Sequence, residues 1–283
     1  MNVIACLKIL RPLQWLKNLM IFFPPLLGGS LLICLQPPAL IPFGAFCLVS
    51  SATYVLNDIL DRDHDSHHPE KRLRPLPAGL LSVTSAWLLC VILLCLGAVA
   101  AWIVSASFFT LLSAYLFIST AYSLKLKEFA LIDIFCISSG FLLRLEAGGA
   151  AFNVVISEWL FLTVFLLAIF LSTGKRLGEK KHLGDAAENH RKSLLAYPKG
   201  FLEGTMYMTG GSVLVTYTMY VISRHSPLLL YSVPLCCFGL LRYILRVHQG
   251  QGGDPTDSLT KDIPLFITGL VWTIMVGWGI YGK

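Results

Sequence analysis

Asn57-Asp58-Ile59-Leu60-Asp61-Arg62-Asp63-His64-Asp65 closes a long apolar stretch, and it places acids where acids should be rare. Asp58, Asp61 and Asp65 are spaced i, i+3, i+7, so on a helix they share one face. Carboxylates that close repel one another and are tolerable together mainly when a cation is held between them. The spacing therefore points to a divalent-metal site at the end of an apolar helix, and a metal there points to chemistry on a phosphorylated substrate. Asp63 falls off the shared face.

Outward from this stretch the chain reads as a membrane protein. Hydrophobic residues make up 55% of the 283 residues and charged residues 13%, against about 25% charged in soluble proteins. A spanning helix needs roughly 20 apolar residues. Nine segments qualify by eye: 13–35, 38–58, 80–98, 102–122, 130–151, 158–174, 204–223, 226–246 and 263–281. The fold expected is an all-α membrane protein, a single domain over 1–283, with nine transmembrane helices around a central cavity that opens to the cytoplasm. The first segment is too long for a cleaved signal peptide and carries Pro24-Pro25, so it is read as mature structure.

Topology follows from the basic residues. With Lys8, Arg11 and Lys17 on the cytoplasmic side, nearly all of the 22 Lys and Arg fall there; Arg224 and Lys283 lie outside and Arg144 lies within a span. This implies a multi-pass protein of the plasma (inner) membrane, N-terminus in and C-terminus out. The net charge of +6 is then a membrane signature and not a nucleic-acid footprint. Expected outer loops are short (36–37, 97–101, 152–157, 223–226). The two long cytoplasmic loops, 59–79 and 175–203, follow the second and sixth spans, which suggests two similar halves that each deliver a charged loop to one cavity. A transporter or pore would need polar groups at several depths, and here the apolar interior is interrupted mainly by Asp133, Arg144 and Glu146. The eight cysteines form no CxxC pair and read as small apolar fillers.

Three constellations carry chemistry. The first joins the acid run to His67-His68-Pro69-Glu70-Lys71-Arg72-Leu73-Arg74. Mg²⁺ takes oxygen ligands, typically one or two carboxylates plus substrate phosphates, and Lys71 and Arg74 could hold the remaining phosphate charge. A zinc site on His64, His67 and His68 competes weakly, since the paired Cys/His spacing of structural zinc is absent. The second is Tyr122-Ser123-Leu124-Lys125-Leu126-Lys127 with Asp133 and Arg144. An arginine within a span faces a partner or a wet cavity, and Asp133 and Glu146 are the candidate partners. The third is Lys175-Arg176-Leu177-Gly178-Glu179 with Asp185, Arg191 and Lys192. Glu179 sits one turn beyond Lys175 and either completes a metal site or pairs with that lysine.

At these residues the chain resembles the UbiA superfamily of intramembrane prenyltransferases, whose NDxxDxxxD motif is matched by Asn57, Asp58, Asp61 and Asp65. More narrowly it is similar to the branch of polyprenyl-phosphate phosphoribosyltransferases. Leu10 to Asn18, His68-Pro69-Glu70-Lys71 with Arg74-Pro75, Tyr122-Ser123 through Lys127, and Gly174-Lys175-Arg176 with Glu179 carry that likeness. Aromatic prenyltransferases have a second DxxxD motif after the sixth helix; here that place reads Lys175-Arg176-Leu177-Gly178-Glu179, bases suited to a donor with an extra phosphate.

The resemblance implies transfer of 5-phosphoribose from phosphoribosyl diphosphate to a decaprenyl-type polyprenyl phosphate, with Mg²⁺ (or Mn²⁺) held by Asp58, Asp61, Asp65 and Glu179. The same three aspartates would be the catalytic set. Substrate and phosphate contacts would come from Lys17, Asn57, Lys71, Arg74, Tyr122, Lys127, Arg144, Lys175 and Arg176. The product would be a lipid-linked sugar donor for envelope glycans, and a homo-oligomer is left open. The alternative is transfer of a prenyl chain from a polyprenyl diphosphate to an aromatic acceptor.

Overall fold

The computed structural model describes residues 3–67, 71–183, 192–251 and 253–282, and among these every regular element is helical. Among the described residues seven helices are long and apolar enough to cross a membrane: Pro37–Leu60, Val83–Val104, Ala106–Leu124, Ile132–Phe152, Glu158–Lys181, Pro227–His248 and Ile263–Tyr281. The chain divides into two compact units. One comprises Met1–Leu126 with Leu143–Val155, the other Lys127–Leu142 with Ile156–Lys283.

The first unit begins with α1 (Val3–Leu10), a 3₁₀ run over Pro12–Phe22 and short helices at Phe23–Gly28 and Leu31–Cys34. The segment read as one span over 13–35 is thus broken. Pro24 and Pro25 have no N–H to return to the carbonyls four residues back, so the α-helical ladder cannot run through them. Gly29, at φ 84°, ends the short helix in the left-handed region. α2 (Leu40–Leu60) is the hub of this unit. Its Ala45, Phe46, Val49, Ala52 and Val55 are buried against the 3₁₀ run, α3 (Val83–Val104) and α4 (Ala106–Leu124).

α3 runs straight through residues 97–101, which had been expected to form an outer loop. The turn falls instead at Ser105, whose Oγ accepts the amide of Phe108 at 3.1 Å and so starts α4. Gly97 is there for packing: a Cβ on it would lie 2.6 Å from Val49 Cγ2 on α2. The last part of α5 (Ile132–Phe152) belongs to this unit, and Gly148 on it meets the Ile21 backbone so closely that a Cβ would lie 2.2 Å from the carbonyl oxygen.

The second unit contains the first half of α5, then α6 (Glu158–Leu183), α7 (Phe201–Ser223), α8 (Ser232–His248), α9 (Pro255–Lys261) and α10 (Ile263–Tyr281). α6 and α7 pack on Phe170, Leu202, Met206 and Val213. α7 is long enough to span, but its Gly204, Gly210, Gly211 and six Thr and Ser residues dilute its apolar content. It and the broken first segment separate the nine expected spans from the seven found. A hydrogen-bond set joins α7, α8 and α10: Trp272 Nε1 donates to the Tyr217 hydroxyl at 2.8 Å, which lies 2.6 Å from the buried Ser232 Oγ.

Candidate functional site

In the first unit the acid run lies where α2 ends and a short helix, Arg62–Ser66, continues it. The Asp65 amide still bonds the Asp61 carbonyl at 2.8 Å, so the helical register of the three acids is nearly preserved. The structure nonetheless resolves them into a pair and a single. Asp58 and Asp65 are each 1% exposed and converge on one cation. Arg74 Nη1 lies 3.2 Å from Asp58 Oδ1 and 2.5 Å from Asp65 Oδ2. Arg11 closes on the same Asp58 oxygen, and Lys71 Nζ stands 3.9 Å from Asp65 Oδ1. Asp61 is half-buried and accepts from Asn57 Nδ2 at 3.0 Å. Asp63 is exposed, as its off-face position predicts.

From sequence Arg11 is a cytoplasmic charge and part of the Leu10 to Asn18 likeness, with no partner assigned to it. Its backbone is left-handed (φ 52°) and its guanidinium stacks on Tyr54 at 5.1 Å, which turns it back onto Asp58. The neighbouring segment is fastened to α2 by Trp15 Nε1, which donates to Ser51 Oγ at 3.0 Å; Ser51 Oγ donates in turn to the Leu10 carbonyl at 3.0 Å. Lys17 and Tyr122 are half-buried in this unit. His68, Pro69 and Glu70 lie outside the described residues, and His67 is tied to its own helix end by the Asp63 carbonyl at 2.9 Å.

Arg144, also in the first unit, is buried, but not against the partners expected. Its Nε donates to Asn18 Oδ1 at 2.8 Å and its Nη2 to the Tyr115 hydroxyl at 3.0 Å, with the guanidinium 4.5 Å from the Tyr115 ring. Asn18 is fully buried and reaches Ser50 Oγ at 3.1 Å. An asparagine inside an apolar segment, at the end of the Leu10 to Asn18 stretch, is the local signal for this contact.

In the second unit Asp133, expected beside Arg144, instead binds Arg176. Arg176 Nε lies 2.6 Å from Asp133 Oδ2, and its Nη1 lies 2.7 Å from Glu179 Oε2. Glu179 therefore pairs with Arg176 at i, i+3 and not with Lys175 at i, i+4. The Tyr197 hydroxyl donates to Asp133 Oδ1 at 2.7 Å and accepts the Leu131 amide at 2.8 Å. Burial, and then that bond to Asp133, push the Tyr197 hydroxyl pKa well up, so it stays a neutral donor. Lys175 Nζ pairs with Asp254 Oδ2 at 2.9 Å. Lys127 is half-buried on a short 3₁₀ turn. Asp185 and Arg191 lie outside the described residues. Tyr197 and Asp254 are too far along the chain from their partners for spacing to have revealed them.

The donor chemistry fits a hard divalent cation in the first unit. Two buried carboxylates already share one cationic nitrogen, and Mg²⁺ typically needs one or two carboxylates plus substrate oxygens. Among the described residues no three His, Cys, Asp or Glu side chains converge as a complete ligand set. Glu179, in the second unit, pairs with Arg176.

The sequence pattern of the UbiA prenyltransferase family matches residues 22–279. The decaprenyl-phosphate phosphoribosyltransferase of Mycolicibacterium smegmatis is 31% identical, over 99% of this chain and 93% of that protein. Its counterpart in Corynebacterium glutamicum is 31% identical over 97% and 86%. The solved structure of a UbiA homologue from Archaeoglobus fulgidus bound to GPP and Mg²⁺ superposes with a TM-score of 0.72 at 18% identity, over 99% of this chain and 100% of that one.

Proposed function

The chain belongs to the UbiA prenyltransferase family and is a membrane transferase, and from that premise we propose that it moves 5-phosphoribose from phosphoribosyl diphosphate to a decaprenyl-type polyprenyl phosphate, releasing diphosphate. The observation that carries the reading is the near-full-length identity of about 30% to decaprenyl-phosphate phosphoribosyltransferases. It is supported by Lys175 and Arg176 standing where aromatic prenyltransferases would carry a second acid pair. In this reading the whole chain is one UbiA-like domain of the plasma membrane, N-terminus in and C-terminus out, working on the cytoplasmic face, and the product feeds envelope glycan synthesis.

Asp58 and Asp65, with Asp61 beside them, hold a divalent cation by hard oxygen donors. When bound, Mg²⁺ supplies charge stabilisation for the departing diphosphate oxygens. Positive charge builds at ribose C1 as its bond to the diphosphate breaks and the electron pair leaves with that group. An oxygen of the lipid phosphate bonds to C1; it is already anionic, so no general base is required. Arg11, Arg74 and Lys71 keep the acid pair from repelling itself and recognise phosphate oxygens. Lys175 holds the ribose 5-phosphate, with Arg176 fixing the turn beneath it. Lys17, Asn57, Tyr122 and Lys127 contact the anionic groups, and Arg144, caged by Asn18 and Tyr115, adds a fixed positive field.

The test is direct. Purified protein with Mg²⁺, labelled phosphoribosyl diphosphate and decaprenyl phosphate should yield a labelled lipid. No labelled lipid, together with turnover of a polyprenyl diphosphate and an aromatic acceptor, would overturn the reading in favour of prenyl transfer.

A further inference from the structure

We propose that Asp254 is the positioning residue of Lys175, a fixed carboxylate that sets the lysine ammonium where an anionic phosphate group of the donor meets it. This rests on the reading of Lys175 as a phosphate-holding group. The pair is 79 residues apart in sequence and 2.9 Å apart in space.

Asp254 is anchored on both sides. Its Oδ1 caps α9, accepting the amides of Thr256 at 3.0 Å and Asp257 at 3.4 Å, which leaves Oδ2 for Lys175. The residue before it is clamped to α6. The Tyr243 hydroxyl lies 2.6 Å from the Gly253 carbonyl and 3.2 Å from that of Leu171, bridging loop and helix. Gly253 rests on the α6 backbone itself: a Cβ there would come 2.2 Å from the Gly174 carbonyl oxygen and 2.7 Å from Lys175 Cα. A Cβ on Gly174 would in turn lie 2.6 Å from the Tyr243 ring. Two facing glycines and one tyrosine therefore bring the loop onto α6 at the turn that carries Lys175.

Stability does not explain this arrangement. The two side chains are 36% and 31% exposed, and ion pairs so placed contribute little. What the pair does is restrict a long, flexible side chain. An ammonium has three donors, and Asp254 occupies one while directing the remaining two.

Asp254→Asn isolates the effect, because asparagine caps a helix as well as aspartate does but carries no charge. The melting temperature in detergent should stay at the wild-type value. The KM for phosphoribosyl diphosphate should rise about tenfold, the loss of one charge-assisted contact, with kcat little changed. In a Lys175→Met background the same substitution should add nothing, since Asp254 acts through Lys175. Asp254→Ser, which caps but cannot reach the ammonium, should match Asp254→Asn. A KM that is unchanged or lowered, or a further rise in the Lys175→Met background, overturns the proposal. If wild-type protein instead turns over a polyprenyl diphosphate, the phosphoribosyl reading fails separately, and the same KM comparison on that donor decides the role of Asp254. Binding of ribose 5-phosphate by calorimetry gives the comparison without turnover.

Discussion

Arg176 and Asp133 are sealed from solvent together, at 1% and 0% side-chain exposure, with Nε and Oδ2 2.6 Å apart. A buried pair of this kind adds little net stability over apolar residues, but removing one partner strands a charge in a low-dielectric interior at about 3–5 kcal/mol. Asp133→Ala and Arg176→Leu should therefore each collapse the yield of monodisperse protein on size-exclusion chromatography. Lys175→Gln, one residue away and a third exposed, should leave the profile intact and raise the donor KM about tenfold, the loss of one charge-assisted contact. Equal profiles for the two basic-residue variants would show that Arg176 is not the structural member of the two.

The acid pair makes a second expectation. Asp58→Asn should leave the protein inserted and folded, because the change is isosteric and Arg11 and Arg74 keep an oxygen to bond. It should lower kcat by about 10³-fold or more, the several kcal/mol that metal-held charge stabilisation contributes. Asp65→Asn should do the same. Asp61→Asn, at the carboxylate that bonds Asn57 and not Arg74, separates a three-acid site from a two-acid one: a loss as large as for Asp58 makes Asp61 a full member.

A chelator should abolish labelled-lipid formation, and Mg²⁺ should restore it. Metal that binds only the folded chain also stabilises it by mass action. Mg²⁺ in millimolar amounts should therefore raise the melting temperature of the wild-type protein and do so less for Asp58→Asn. Equal shifts in both would place the metal elsewhere.

The helical membrane plan was legible because it rests on long apolar runs, which need no tertiary information. The acid run was legible for the same reason: i, i+3, i+7 is a property of one helix. Where the reading failed, the deciding contact came from a distant part of the chain. Gly97 looked like a loop residue, and only Val49 on the neighbouring helix shows that it is a close-approach site within α3. Arg144 and Asp133 lie on one helix and looked like partners, yet Asp133 is taken by Arg176, 43 residues on. The break in the first segment was written in Pro24-Pro25, a local signal outweighed by the hydropathy around it.

Gly148→Ala tests that first segment. The added methyl would fall 2.2 Å from the Ile21 carbonyl oxygen, a backbone atom that cannot swing aside as a side chain can. Overpacking of this sort costs about 1–3 kcal/mol, so the melting temperature should drop by several degrees. Gly44→Ala on α2, where a Cβ meets no heavy atom within 4 Å, is the control and should hold or slightly raise the melting temperature, as alanine favours a helix interior over glycine.

Asp262 sets an acid limit on stability. It caps α10 through the Leu265 amide at 2.9 Å and accepts from Arg242 Nη2 at 2.9 Å and Arg246 Nη1 at 2.7 Å. The Arg242 hydrogen bond first, and then that from Arg246, hold its carboxyl well below the usual range, against the opposing effect of burial. The folded-state pKa is thus lower than the unfolded value of about 4. The stabilisation is complete above that unfolded value and is lost as pH falls from there through the folded one. Wild-type protein should hold its melting temperature from pH 7 to about 5 and lose it progressively below about 4, while Asp262→Asn should start lower at pH 7 and run flatter across the acid range. Parallel profiles for the two proteins would mean that other carboxylates govern the acid transition.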